Sequence, residues 1–215
     1  MSKKGITYEK GQWLFSMDRL RLQPDHVQSR VRLLQGSATD LVTALRPDTD
    51  LPFDNVLCLD AAYHFNTRAL FFRQVTHVLK PGGCLGMYDL ILSPSFSTRR
   101  SLPWKWRVLA KALDIPLVNW MNQQQYEAQL TQAGFDDVDI ELLDPAVVFG
   151  GLSAHCFKQL SLVNHWHLGH WTHAAYLRVS GYLFGYLATA ECWMPAIITA
   201  RRPLSAGQSA HADKK

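Results

Sequence analysis

The sequence predicts an α/β fold built on a parallel sheet, and the stretch 54–92 carries most of that prediction. It opens with a short apolar run, Asn55-Val56-Leu57-Cys58-Leu59-Asp60, typical of a strand buried on both faces. Leu70, Phe71, Val75, Val78 and Leu79 then recur at helical spacing and form one stripe, with Asn66 as the expected N-cap. Lys80-Pro81-Gly82-Gly83 stops the helix, because proline cannot continue it and glycine accepts the turn's left-handed backbone. A second apolar run follows from Cys84 to Leu92. Strand, helix, tight turn and strand in one domain make a right-handed crossover between parallel neighbours.

The other elements follow in chain order. Residues 1–30 are polar without a sustained period and are expected to be an irregular N-terminal segment, with WLFSMDRLRL a candidate short helix and Pro24-Asp25 a turn or helix start. Val31–Gln35 reads as a strand ended by Gly36, and a short helix is expected over Thr39–Leu45. A basic, aromatic helix carrying Trp104 and Trp106 is expected over 99–113, and another over Gln123–Ala133 before Gly134. Residues 135–142 alternate polar and apolar, as a half-exposed strand does. The region 151–190 is helical and aromatic, Ala196–Ala200 is the closing strand, and the tail 204–215 is expected to be disordered.

Composition narrows the function classes. With 47% hydrophobic and 19% charged residues, the 215-residue chain can bury one sizeable core. The net charge of +4 gathers partly at the two ends and leaves no basic stripe, which argues against nucleic acid as a partner. Cys58, Cys84, Cys156 and Cys192 form no C-x-x-C pair, so neither a zinc site nor a disulfide framework is expected. The first residues lack the apolar core of a signal peptide, and a cytoplasmic protein is the expectation. Arg178, Glu191 and Pro195 interrupt the apolar stretch 176–200, which favours a lid helix and a strand over a membrane span. His165, His167, His170 and His173 crowd one stretch without a nearby carboxylate or cysteine; they read as the solvent side of a lid helix, and no metal is expected.

The stretch FDNVLCLDAAYHFNTRALFFRQVTHVLKPGGCLGMYD (53–89) closely resembles the middle of class I S-adenosylmethionine-dependent methyltransferases of the sterol, tocopherol and ubiquinone-biosynthesis type. LLQGSATDL (33–41) resembles the element after the family's third strand, QQYEAQLTQAGFDDVDIELL (124–143) its late helix and strand, and MPAIITARRP (194–203) its closing strand. The resemblance implies a partial methyltransferase domain over 31–203 with lid insertions at about 93–121 and 151–190. It implies S-adenosyl-L-methionine as cofactor and a small, apolar, lipid-like or aromatic acceptor. The family's glycine-rich loop has no counterpart, since Gly5 and Gly11 are isolated. The expectation is therefore a Rossmann-like sheet of order 3-2-1-4-5-7-6 that lacks its first two strands, an N-terminally truncated form with an open edge at Asn55–Asp60. Such an edge suits homo- or hetero-oligomer formation, and a non-catalytic remnant that pairs with another chain is the alternative function. A weaker reading is contact with a membrane surface through the aromatic C-terminal helices.

Ligands of open parallel sheets bind outside the carboxyl ends of the strands. By resemblance, Ser37 and Ala38 are expected near the adenine and Asp60 and Ala61 near the methionine portion, with Thr39 a further cofactor-binding residue on the rim. Tyr63, Phe65, Asp89 and Trp104 are the expected acceptor-pocket residues. His64 is the candidate base, because imidazole titrates near neutrality and methylation of an oxygen releases a proton.

Overall fold

The computed structural model describes residues 3–46, 50–97, 104–168, 170–190 and 192–204. The expected tail beyond Leu204 lies outside the described residues, as do residues 99–103 of the expected basic helix.

The N-terminal segment is regular, which corrects the irregular reading of 1–30. Strand β1 spans Lys3–Thr7, helix α1 Lys10–Arg21 and helix α2 Asp25–Gln28. β1 pairs in parallel with β2, Val31–Gln35, from Lys3 opposite Val31 to Thr7 opposite Gln35. So β2 has a neighbour, and one strand of the order 3-2-1-4-5-7-6 is unaccounted for among the described residues, not two. Two lysines and a glycine hide β1 in the sequence. The position of Gly5 is nonetheless packed, since a Cβ there would stand 2.9 Å from Leu33 Cδ2.

The short α3 covers Leu41–Ala44 and β3 covers Phe53–Leu59. After a 3-10 turn at Ala62–His64 comes α4, Arg68–Val78, capped by Thr67, whose hydroxyl accepts from the Leu70 amide at 3.3 Å. The cap is thus one residue later than the sequence suggested. β4 runs Leu79–Leu92 and lies parallel to β3, the crossover anticipated from the sequence. Three helices and a 3-10 turn follow: α5 at Pro94–Ser97, α6 at Trp104–Ala112, the turn at Leu117–Asn119, and α7 at Gln123–Gln132. β5 (Asp136–Leu142) and β6 (Trp193–Arg201) complete a four-stranded sheet of order β3-β4-β6-β5, with β6 antiparallel to both neighbours. Between them stands a helical hairpin, α8 at Pro145–His165 and α9 at Trp171–Leu187, so this insertion begins at 145 and not at 151.

One core joins the two sheets. Phe71, Phe72, Val75 and Val78 of α4 and Tyr126 and Leu130 of α7 pack on Leu85, Met87 and Ile198, and Ile6 and Leu34 join the same cluster. A second, aromatic cluster lies between α6, the hairpin and β6. In it Trp193 contacts Trp106 at 6.0 Å and Trp120 at 5.0 Å, and Trp106 stacks on Tyr186 of α9 at 5.9 Å.

The backbone ladder stops between the two sheets. There β3 is not buried on both faces as its apolar run predicted. Val56 and Cys58 face the core, but Leu57 is 73% and Leu59 68% exposed. Ile197 of β6, in register with Leu59 through Tyr88, is exposed on the same face. Helices bury one side of this sheet and leave apolar side chains open on the other, where a doubly wound fold carries a second layer.

The small sheet is tied to the larger one by Asp50. Its carboxylate accepts from Lys4 of β1, from Arg32 of β2 at 3.1 Å and from the Arg46 amide at 2.8 Å. The Lys4 ammonium also lies 5.9 Å from the ring centroid of Phe53, at the start of β3. The hydrogen bond from Lys4, then that from the Arg46 amide, hold the Asp50 carboxyl down at about 2, below its ordinary 3.8. A depressed carboxylate adds stability above its unfolded value and loses it as pH falls through the folded one. The Asp50→Asn variant should therefore unfold at lower urea than wild type at pH 7, and the difference should shrink as pH falls from 3.8 towards 2. Urea midpoints followed by circular dichroism across that range check this.

Candidate active site

The ladder break marks the candidate ligand site. β1 pairs in parallel with β2, and β3 in parallel with β4. The start of β1 meets the start of β3 where the Lys4 ammonium lies by the Phe53 ring, which makes the gap between the pairs a candidate topological switch point, the kind of place where open sheets bind ligands at the carboxyl ends. The residues just past those ends are 8–12, 36–39 and 60–65, and they hold most of the sites expected from the sequence.

On the β2 side, Ser37 Oγ is 2.8 Å from Thr39 Oγ1 and accepts from the Thr39 amide at 3.2 Å. Ala38 packs against the core. This local side-chain to backbone pairing holds the turn and leaves hydroxyls at the rim. Next to it, Thr7 ends β1 and donates to Gln12 Oε1 of α1 at 2.9 Å. That second polar pair was not anticipated. Only Ile6 and Thr7 of the strand are β-formers, so neither strand nor rim showed in the sequence.

On the β3 side, Asp60 takes a left-handed backbone, φ 56°, directly after the strand. Its amide donates to the Tyr88 carbonyl at 3.0 Å, and its exposed carboxylate accepts from the Tyr63 hydroxyl at 2.9 Å. Aspartate tolerates this conformation better than most residues, and such positions gather at functional sites. Burial first, then the Asp60 hydrogen bond, push the Tyr63 phenol up, so Tyr63 stays a neutral donor. Tyr88, in the adjacent strand, is pushed up to about 12 by burial and the nearby Asp60 and Asp89.

His64 is exposed, with its Nδ1 3.0 Å from the Asp114 carbonyl and its ring 4.3 Å from that of Tyr63. A carbonyl only accepts, so Nδ1 is the donor here, and in the neutral imidazole Nε2 is the nitrogen with the lone pair. Phe65 turns inward, edge-on to Phe71 at 5.1 Å, and is part of the core wall. Asn119, unmarked by any sequence pattern, fixes this loop from outside. Its Nδ2 donates to the carbonyls of Tyr63 (3.0 Å) and Phe65 (2.6 Å), and its Oδ1 accepts from the Arg68 amide at 3.2 Å.

Two expected pocket residues are elsewhere. Asp89 is fully buried beneath the rim, where it pairs with Arg68 at 3.1 Å and accepts from Tyr126 Oη at 2.7 Å. Arg68 also donates to the Leu90 carbonyl at 2.9 Å and lies over the Tyr126 ring. Burial raises the Asp89 carboxyl, and the Arg68 guanidinium opposes this most strongly. Asp89 therefore supports the rim from below and is no acceptor contact. Trp104 points outward, 77% exposed; Trp106, two residues on, enters the aromatic cluster instead.

A family model described as a methyltransferase domain matches residues 14–87, from inside α1 to the middle of β4. The erythromycin 3''-O-methyltransferase of Saccharopolyspora erythraea is 36% identical over 124 residues, 56% of this chain and 39% of that protein. Over these stretches the chain is similar to S-adenosylmethionine-type methyltransferase domains. The 27-O-demethylrifamycin SV methyltransferase of Amycolatopsis mediterranei is 30% identical over 95 residues, 44% of this chain and 34% of its own. The chain thus spans well under half the length of these relatives. Among solved structures, phosphoethanolamine N-methyltransferase 2 of Haemonchus contortus, in complex with S-adenosyl-L-methionine, superposes with a TM-score of 0.73 at 16% identity, over 93% of this chain and 43% of that one. The cyclopropane synthase MmaA2 of Mycobacterium tuberculosis superposes with a TM-score of 0.66 at 15% identity, over 93% of this chain and 70% of that one. At these identities the likeness is one of fold.

The buried pair under the rim gives a direct test. Asp89→Ala leaves the Arg68 guanidinium buried without its counter-charge, which costs roughly 3–5 kcal/mol. Urea unfolding of the variant should show that loss, whereas Asp54→Ala, removing an exposed partner of Lys80, should leave the urea midpoint close to that of wild type.

Proposed function

We propose that this chain transfers a methyl group from S-adenosyl-L-methionine to a small lipid-like or aromatic acceptor. The observation that carries the reading is the ladder break, where polar groups follow the carboxyl ends of β1, β2 and β3. Ser37, Ala38 and Thr39 would hold the adenine side, with the Thr7–Gln12 pair next to them on the β1 side. Asp60 and Ala61 would face the methionine side, where the carboxylate suits a cationic amino group and a sulfonium. When bound, the cofactor supplies a methyl carbon open to in-line attack. The chain's own residues position the partners, which is most of what such a displacement needs.

For an oxygen acceptor, His64 Nε2 takes the proton that the hydroxyl loses, while the Asp114 carbonyl holds the ring's orientation through Nδ1. Two relatives are named for O-methylation or for a 27-O-demethyl substrate, which favours an oxygen over other acceptor atoms. Tyr63 keeps Asp60 in place and, with Phe65, closes the near wall. His64→Gln should lower the rate of labelled methyl transfer to hydroxylated acceptors about a hundredfold and leave cofactor affinity within about twofold. An unchanged rate would remove His64 from the chemistry.

A second reading is a non-catalytic remnant that pairs through the open edge of β3. The exposed Leu57 and Leu59 favour it, since an unpaired apolar edge recruits another strand. On this reading the chain forms higher-order species at micromolar concentration, and the double change Leu57→Lys with Leu59→Lys returns it to a monomer of unchanged helicity. Sedimentation velocity with circular dichroism decides. A wild-type chain that is already monomeric speaks against edge pairing and for the enzyme.

A further inference from the structure

The helical hairpin has a feature that methyl transfer does not use. α8 alone has 21 residues, so at 1.5 Å per residue the turn joining it to α9 lies about 30 Å from the helix start beside the sheet. That turn is apolar and open: Trp166 is 65%, Leu168 56% and Trp171 73% exposed. α9 extends the exposed surface with Tyr176, Val179, Tyr182 and Tyr186, and Arg178 stands among them, also exposed. α8 is long and apolar enough to cross a membrane, and little of it is buried within the fold. A water-facing tip seldom carries two indoles and a leucine without a partner.

The charge of the hairpin says what kind of partner fits. No aspartate or glutamate occurs between Asp144 and Glu191, whereas Lys158, Arg178 and five histidines, at 155, 165, 167, 170 and 173, do. Tryptophan and tyrosine favour the boundary between headgroups and acyl chains, and basic side chains favour anionic headgroups. We propose that the α8–α9 hairpin docks its tip on an anionic lipid surface, with Trp166, Leu168 and Trp171 entering the interface. Lys158 of α8 and Arg178 of α9, both exposed, interrupt the apolar surface partway along the hairpin and favour one that dips its tip into the headgroup layer over one that spans the bilayer. The interaction does not require cofactor binding or a filled ladder break.

The test is co-sedimentation of the full chain with vesicles of phosphatidylcholine containing about one third phosphatidylglycerol, against pure phosphatidylcholine vesicles. The chain should pellet with the anionic vesicles, much less with the neutral ones, and less again as salt rises. The Trp166→Ser, Trp171→Ser double variant should bind at least about tenfold more weakly, since both indoles would contribute interfacial burial. Its circular dichroism should match wild type, because both side chains are exposed. A wild-type chain that stays in the supernatant, or a double variant that pellets equally, overturns the proposal. A concentration-dependent dimer that the double variant abolishes, without vesicle binding, assigns the surface to a second copy of the chain instead.

Discussion

The interruption of the backbone ladder between β1 and β3 is the constraint on which the rest of the structure depends. Every strand of a parallel sheet needs hydrogen-bond partners along its edges and cover on both faces. Here both needs go unmet at the same place. The edge of β3 lacks a partner among the described strands, and Leu57 and Leu59 project from its outer face into solvent. The same interruption is where the proposed ligand rim lies. Structural incompleteness and functional promise share one location.

What links the two sides of the break is a set of polar ties and not a ladder. Asp50 gathers Lys4, Arg32 and the Arg46 amide at one end of the strands, and Gln74 Oε1 of α4 accepts from the Leu41 and Val42 amides of α3 at 3.0 and 3.3 Å. On the β3 side alone, Asn119 and the Arg68–Asp89–Tyr126 group fix the loop that carries Asp60, Tyr63 and His64. Each tie replaces water around a charged or amide group with a matched partner, so each is costly to disrupt. The common core under α4 and α7 then sets the spacing between the two sheets.

Much of this was legible in the sequence, and the misses have physical causes. The β3–α4–β4 crossover showed because apolar period and turn chemistry agreed there. Serine, threonine and aspartate at strand ends marked the rim at Ser37, Thr39 and Asp60. β1 escaped notice because Lys3, Lys4 and Gly5 suppress its apolar pattern; Lys4 is needed for Asp50, and Gly5 accommodates Leu33. Asp89 looked like a rim residue by position, but its burial depends on Arg68 and Tyr126, far apart in sequence. Trp104 and Trp106 differ only in which side of α6 they occupy, and so short a helix with two aromatics gives no clear period. The family resemblance supplied the cofactor side proposed for the rim; Thr7 and Gln12 beside it emerged only from the pairing of β1.

The central claim is that the rim flanking the ladder break is a site for S-adenosylmethionine, and calorimetric titration of the folded chain with S-adenosylhomocysteine tests it most directly. The account predicts binding in the micromolar range, weakened at least about tenfold by Asp60→Ala, which removes a charged contact worth about 1.5–3 kcal/mol. A chain with native circular dichroism that releases no heat on titration, or binds equally well without the Asp60 carboxylate, would contradict it.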